Sequence, residues 1–361
     1  MLRRSPRFCT PAPFSQVSTA HQHGEVPLPT PNGWFCMGFS TEIPPGTVVS
    51  RPLAGQDVVL YRTRSGLLRA TRPYCPHLGA HLGLGGRIDG EDIICPFHRF
   101  AFGPDGACTR TSQAGYGPRT PKASLNLLPV RETDGLILVW HHHNSAPPTW
   151  EIPHLPVDWN GRLKFRAMEF AGHPQDILEN SQDPAHLVVL HGRERYITAH
   201  CAAPPAADGP CLRSKLDMSV RIPGTRRTRG YQYEFTQYGT GYVTVDIRLG
   251  PTLTRIWVTV TPISDWRVHF RIAARTHIPA SRHRPPTLSR ISATAMASAI
   301  QWAHHAVTFS PRIGDGPIFA TRGHNPRPHL AQGDGPITRY RHWAQQFYPD
   351  SPAHPDSKEP V

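Results

Sequence analysis

An α+β fold in two parts is what this sequence predicts: an all-β N-terminal unit, then an antiparallel-sheet domain flanked by helices. Three observations predict it. Short apolar strand patterns crowd the first 145 residues, long β patterns fill 231–275, and helix-period stretches flank the latter at roughly 174–192, 287–308 and 337–347.

The elements follow in order. Residues 1–30 are a Pro-rich lead with Arg3, Arg4 and Arg7 and no acid before Glu25. Organelle transit segments share that composition, but no clear amphipathic helix accompanies it, so a disordered tail is expected. Gly33-Trp34-Phe35-Cys36-Met37-Gly38-Phe39 and Asp57-Val58-Val59-Leu60-Tyr61-Arg62 read as strands, Gly103-Pro104-Asp105-Gly106 as a hairpin turn, and Leu136-Ile137-Leu138-Val139-Trp140 as the closing strand. His141, His142 and His143 read as solvated residues at a strand end. Asn144-Ser145-Ala146-Pro147-Pro148 is the boundary, giving domains 31–145 and 146–348. Runs such as Arg255-Ile256-Trp257-Val258-Thr259-Val260-Thr261 supply the second domain's sheet, and the tail 349–361, Pro-rich and charged, is expected to be disordered.

Composition narrows the function. A chain of 361 residues has room for two cores. Of its seven cysteines, the five outside the loops at Cys75 and Cys95 (Cys9, Cys36, Cys108, Cys201 and Cys211) are scattered and odd in number, which argues against a disulfide framework and for a reducing compartment, the cytoplasm by default. A formal charge of +13 invites a nucleic-acid reading, but the basic residues are spread, mostly arginine, and lack an interleaved aromatic platform. A basic surface that steers an acidic electron donor fits better. No apolar run approaches the roughly 20 residues that span a bilayer, so the chain is expected to be soluble or at most peripheral.

Two short loops carry the most specific chemistry. Cys75-Pro76-His77 and Cys95-Pro96-Phe97-His98 place ligands in the order Cys, His, Cys, His. A Rieske [2Fe–2S] cluster binds one iron through two cysteines and the other through two histidines, so each loop must give one ligand to each iron. A structural Cys2His2 zinc site usually keeps its cysteines together and its histidines together. Pro76 and Pro96 stiffen the loops, and Gly79, Gly83, Gly85 and Gly86 allow close backbone approach to the sulfides. Gly83-Leu84-Gly85-Gly86 opens no helix and is no dinucleotide loop.

The second constellation runs from Glu179 to His191. Five residues apart on an ideal helix, His186 and His191 would point about 140° away from each other, so a shared iron requires a break. Asp183 as cap and Pro184 at the first helical position supply one. Two histidines and a carboxylate form the facial triad that holds mononuclear Fe(II) with positions open to oxygen.

With both patterns, Cys-x-His…Cys-x2-His and Asn-x2-Asp-x2-His-x4-His, the chain resembles the Rieske non-haem iron oxygenase alpha subunits from about residue 31 to 348. Asp334-Gly335-Pro336-Ile337, Tyr340-Arg341-His342-Trp343 and Gln346-Phe347-Tyr348 resemble the ketosteroid 9α-hydroxylase and cholesterol 7-desaturase branch. The resemblance implies a late carboxylate ligand, commonly Asp-x2-Ile-Trp. Asp315-Gly316-Pro317-Ile318-Phe319 matches it with Phe for Trp, and is preferred to Asp334 of the duplicate Gly-Asp-Gly-Pro-Ile, although either can be a turn residue. The resemblance further implies that Asp183 bridges a Rieske histidine, His98, of one subunit to His186 of its neighbour in a homotrimer. The chain shows no flavin or nicotinamide fingerprint, so electrons come from a separate NAD(P)H-dependent reductase, directly or through a ferredoxin. The expected activity is that of a terminal oxygenase that uses O2 to hydroxylate or desaturate a bulky apolar substrate, sterol-like or polycyclic. A Rieske electron carrier without oxygenase activity is the rival, but it needs only the first domain.

Overall fold

The computed structural model describes residues 28–112, 121–154, 157–190, 197–221, 225–281, 285–310 and 314–349. They divide into two units, one spanning Trp34–His154 and the other built from the described residues outside it. The expected tails lie outside the described residues, apart from 28–30 and 349.

The first unit is all β. Its strands are β1 (Gly33–Phe39), β2 (Val48–Leu53), β3 (Gln56–Arg62), β4 (Leu68–Thr71), β5 (Arg87–Asp89), β6 (Asp92–Ile94), β7 (Ala101–Phe102), β8 (Cys108–Arg110), β9 (Leu127–Leu128), β10 (Val130–Thr133) and β11 (Leu136–His141). They form sheets ordered β1-β11-β10, β2-β3-β4-β9 and β5-β6-β7-β8. The unbroken apolar run in β3 has a geometric cause. Val58 and Leu60 face one core with Phe35, Met37, Ile137 and Val139, while Val59 and Tyr61 face a second core that contains Cys75 and Cys95. A strand buried on both sides reads as continuous rather than alternating. The unit extends past the Asn144–Pro148 stretch to His154, because Trp150 packs edge-on against Trp140 with ring centroids 5.4 Å apart and its carbonyl accepts from Trp34 Nε1 at 2.9 Å.

In the second unit, an eight-stranded sheet runs β12 (Lys164–Ala171), β13 (Ile197–Cys201), β14 (Ala206–Asp208), β15 (Cys211–Arg221), β16 (Thr228–Tyr238), β17 (Tyr242–Leu249), β18 (Thr252–Ser264) and β19 (Arg267–His277) along the chain. Its spatial order is β12-β19-β18-β17-β16-β15-β13, with β14 pairing β15, and the pairs are antiparallel. The alternate residues Val243 and Val245, Ile256, Phe270 and Ile272 form one apolar face, which packs against Ile177, Leu178 and Phe319. The other face carries the bidentate Arg255–Asp246 pair at 2.6 and 2.7 Å.

The helices are α1 (Pro174–Leu178), α2 (Pro184–Val189), α3 (Pro286–Phe309), α4 (Asp315–Thr321) and α5 (Ile337–Ala344). The expected helix at 174–192 is thus broken: a 3₁₀ turn, Glu179–Gln182, separates α1 from α2. The break falls at Pro184, where the sequence placed it. Similarly, the 337–347 stretch changes to 3₁₀ at Gln345–Phe347.

α1 begins at a buried histidine. His173 Nδ1 accepts from Gln175 N at 3.2 Å and Nε2 donates to the Pro29 carbonyl at 3.2 Å, so the ring is neutral. Burial holds its pKa down to about 4, from an ordinary 6.5. Because the folded pKa is the lower one, the unfolded chain takes up the proton first as pH falls. Stability from this group is complete above about pH 6.5 and is lost as pH falls toward 4, by about 2 kcal/mol at pH 5. Urea unfolding at pH 7 and pH 5 should show the loss, and His173→Gln should flatten the pH dependence. An equally steep profile in that variant would remove His173 from the acid response.

Candidate active site

The two cluster loops close on themselves. Gly79 N donates to the Cys75 carbonyl at 2.9 Å, Cys75 N to Ala80 O at 2.9 Å and Cys95 N to Phe100 O at 2.8 Å. One glycine is fixed by space: a Cβ on Gly86 would lie 2.0 Å from the Leu82 carbonyl oxygen. Both cysteines are free thiols, 3% and 2% exposed, inside the second core of the unit. Burial pushes the Cys75 thiol up to about 11, the adjacent Cys95 thiol adds to the rise, and the His77 and Leu78 amides oppose it. Thiols kept protonated by burial become thiolates when a metal takes the proton's place.

The two imidazoles lie further out. His77 and His98 are half-buried with ring centroids 4.8 Å apart, and His77 stacks on Phe100 at 4.3 Å. Two buried sulfurs and two outer nitrogens suit a diiron rhomb with thiolates on its inner iron and imidazoles on its outer one. Among the described residues no three His, Cys, Asp or Glu side chains gather as a single-ion site, and a rhomb that divides its ligands between two irons does not require that. Around the imidazoles, Tyr74, Leu78, Leu84 and Phe97 are 60–71% exposed.

In the second unit, the break before α2 sets the geometry of the other site. Asp183 caps α2: its Oδ1 accepts from Ala185 N at 2.9 Å and His186 N at 3.3 Å. Burial raises the Asp183 carboxyl above the usual range, against the pull of those two amides. His186 Nδ1 donates to the Asp183 main-chain carbonyl, which makes Nε2 the nitrogen with the lone pair for a metal. The Asp183 carboxylate itself is 3.9 Å from His186 Nδ1, so their hydrogen bond runs through the backbone. His191 lies outside the described residues.

Asp315 arrives from far along the chain. It is in the first turn of α4, and its Oδ1 accepts from Asn180 Nδ2 at 3.3 Å. Asp183, His186 and Asp315 all line one cavity, which holds about 970 Å³ of empty space including its open mouth. Its floor is the apolar face of the sheet: Leu216 and Met218, Tyr233 and Phe235, Val243 and Val245, Ile256 and Val258, Phe270 and Ile272. Asp334 is elsewhere. It does not line the cavity, and its Oδ2 accepts from Ala331 N to close a turn. That turn backs the Asp183 cap, since a Cβ on Gly335 would lie 2.3 Å from the Gln182 carbonyl oxygen.

A layer of buried polar residues, of which the sequence did not single out Gln175, Asp176, Arg322 and His324, holds the α1 and 3₁₀ segment. Glu179 is bound by Arg341 and by Arg322, the latter at 3.2 Å, and Asp176 by His324 at 3.0 Å. Tyr340 OH donates to Gln175 O at 3.0 Å, and Tyr348 OH to Gln175 Oε1 at 2.8 Å. Tyr340, Arg341 and Tyr348 belong to the tail motif noted in the sequence. That motif was the signal, and the structure supplies its purpose.

These ligand sets predict about three irons and two labile sulfides per chain in the loaded protein. Stoichiometric zinc without labile sulfide would remove the cluster assignment.

Comparison with known proteins is consistent along the chain. Residues 33–121 match the Rieske [2Fe–2S] domain and residues 139–348 the 3-ketosteroid 9alpha-hydroxylase C-terminal domain. Cholesterol 7-desaturase of Bombyx mori is 28% identical over 354 residues, covering 93% of this chain and 73% of that protein. The homologue from Xenopus laevis is 39% identical over 183 residues, 48% of this chain and 39% of the relative. A probable 3-ketosteroid-9-alpha-monooxygenase oxygenase component of Rhodococcus rhodochrous is 25% identical over 344 residues, 91% of this chain and 82% of that one. Among solved structures, dicamba monooxygenase bound to dicamba shares the fold at a TM-score of 0.60 and 16% identity, over 88% of this chain and 96% of that chain.

Proposed function

We propose a reaction for a chain that belongs to the Rieske oxygenase family, in the branch of 3-ketosteroid 9α-hydroxylases and cholesterol 7-desaturases: it is the terminal oxygenase that hydroxylates or desaturates a sterol-like substrate. The observation that carries this reading is the apolar cavity that His186 and Asp315 both line. Cys75, His77, Cys95 and His98 would hold the [2Fe–2S] cluster, and His186, His191 and Asp315 the mononuclear iron. When bound, these groups supply single electrons and the activation of dioxygen. The rest is the chain's own work. The paired β-strand side chains exclude water and present a flat apolar surface to a fused-ring molecule. Asn180, through its bond to Asp315 Oδ1, orients that carboxylate toward the cavity.

Electrons come from a separate NAD(P)H-dependent reductase, directly or through a ferredoxin. The active unit is a homotrimer in which Asp183 links His186 to His98 of a neighbouring copy. Two features support this. The cap uses Asp183 Oδ1 and leaves Oδ2 for a second imidazole, and the four exposed apolar side chains around His77 and His98 form a surface fit to be covered by another copy. Asp183→Asn is therefore expected to keep both metals and to lower turnover about tenfold to a hundredfold, the range for partners that orient metal ligands. Turnover equal to wild type with a saturating reductase would take Asp183 out of the electron route.

The substrate class is tested by mass spectrometry of products. The loaded full chain, given a generic reductase, is offered cholesterol, a 3-ketosteroid and a small aromatic acid. Oxygenated or desaturated sterol is the expected product. Conversion of the aromatic acid alone would overturn the reading.

A further inference from the structure

We propose that the outward face of α3 docks this protein on the surface of an anionic lipid bilayer. Five positions of that helix, Leu288, Ile291, Ala295, Ala299 and Trp302, fall within about 80° of arc at 3.6 residues per turn. All five are exposed, the three large ones at 47, 61 and 64%. The opposite side is the one that packs: Ser289, Ala293, Ala297 and Gln301 are buried, and Ile300 lies against the core beneath the cavity. α3 thus has two apolar sides, and one of them has water as its neighbour in the protomer.

Charge selects the occupant. The 24 residues of α3 include no aspartate or glutamate. Arg290 is exposed on its first turns, and Arg162, also exposed, is joined to the flank of the stripe by its main-chain bond to Thr294 Oγ1 at 3.2 Å. The chain as a whole carries +13. An apolar stripe with an aromatic end, positive neighbours and no acid suits the headgroup region of an anionic membrane, where the helix lies in the plane rather than across it. Among the described residues no helix is long and apolar enough to cross. The location also has a use. α3 lends Thr308 to the cavity wall, so the element that would rest on lipid also borders the substrate chamber. Only this last step rests on the sterol reading, since docking itself needs no substrate.

The test is flotation of the loaded full chain with two kinds of vesicle, phosphatidylcholine alone and phosphatidylcholine with about a quarter phosphatidylserine. Wild type is expected to bind the anionic vesicles about tenfold more tightly than the neutral ones, and less so as salt rises. Ile291→Glu, and more strongly Ile291→Glu with Trp302→Glu, should lower that binding at least about tenfold. The thermal midpoint, iron content and turnover of cyclodextrin-delivered sterol should stay unchanged. Failure of wild type to float, or double-variant binding equal to wild type, would overturn the proposal. So would a smaller mass for the double variant in sedimentation velocity, which would make the stripe an interface between copies. Vesicle binding by a protein that converts no sterol would leave docking standing and sink only the substrate reading.

Discussion

Asp315→Ala is expected to strip the mononuclear iron and abolish turnover while the visible spectrum of the Rieske cluster stays intact. Asp315 lines the cavity with His186 and takes a hydrogen bond from Asn180, a residue 135 positions away, so its carboxylate is held by the fold. Losing one of three protein ligands from an open iron site should cost more than the tenfold to hundredfold typical of an outer partner. Asp334→Ala is the control. Its carboxylate closes a turn on Ala331 N, so the variant should lose some stability but keep its iron. Thermal midpoints are compared first. Iron lost from a folded Asp334→Ala, and kept by Asp315→Ala, would reverse the assignment.

The largest effect on stability is expected from Arg341→Ala. Glu179 is 9% exposed in its side chain and depends on Arg341 for two hydrogen bonds, with Arg322 as a second, more exposed partner. Removing one side of a buried pair leaves a charge that water cannot reach, at a typical cost of about 3–5 kcal/mol. Because Arg322 remains, about 3 kcal/mol is expected, or roughly 10 °C in the midpoint of a unit of this size. The Rieske unit should be unaffected. A loss below about 1 kcal/mol in calorimetry would show that Arg322 alone satisfies Glu179.

How legible the molecule was in its sequence depended on the distance over which a signal acts. The cluster ligands are contiguous motifs, and their order alone implied that the two sulfurs hold one iron and the two nitrogens the other. The Asp183 and Pro184 break was also local, a cap followed by a residue that cannot continue the preceding helix. Other features were spread too widely. Asn180 and Asp315 meet only in the fold, and the cavity floor comes from five strands whose alternation shows an apolar face without showing what faces it. β12 to β15 were not singled out, since half-buried strands such as Lys164–Ala171 mix charged and apolar residues on both parities. α4 was hidden because Gly316 and Pro317 in its first turn resemble a loop. The domain boundary lay beyond Pro148 because Trp150 is recruited by Trp140, a contact no local composition reveals.

The clamp on Gln175 and Glu179 by Tyr340, Arg341 and Tyr348 imposes an order of events during synthesis. The segment leading to His186 leaves the ribosome more than 150 residues ahead of the side chains that hold it, on the order of ten seconds at cellular elongation rates. Until Arg341 emerges, buried Glu179 has only Arg322 as a cationic partner. The ligand-bearing turn is therefore expected to settle late, once the residues that clamp it from the far end of the sequence have been made.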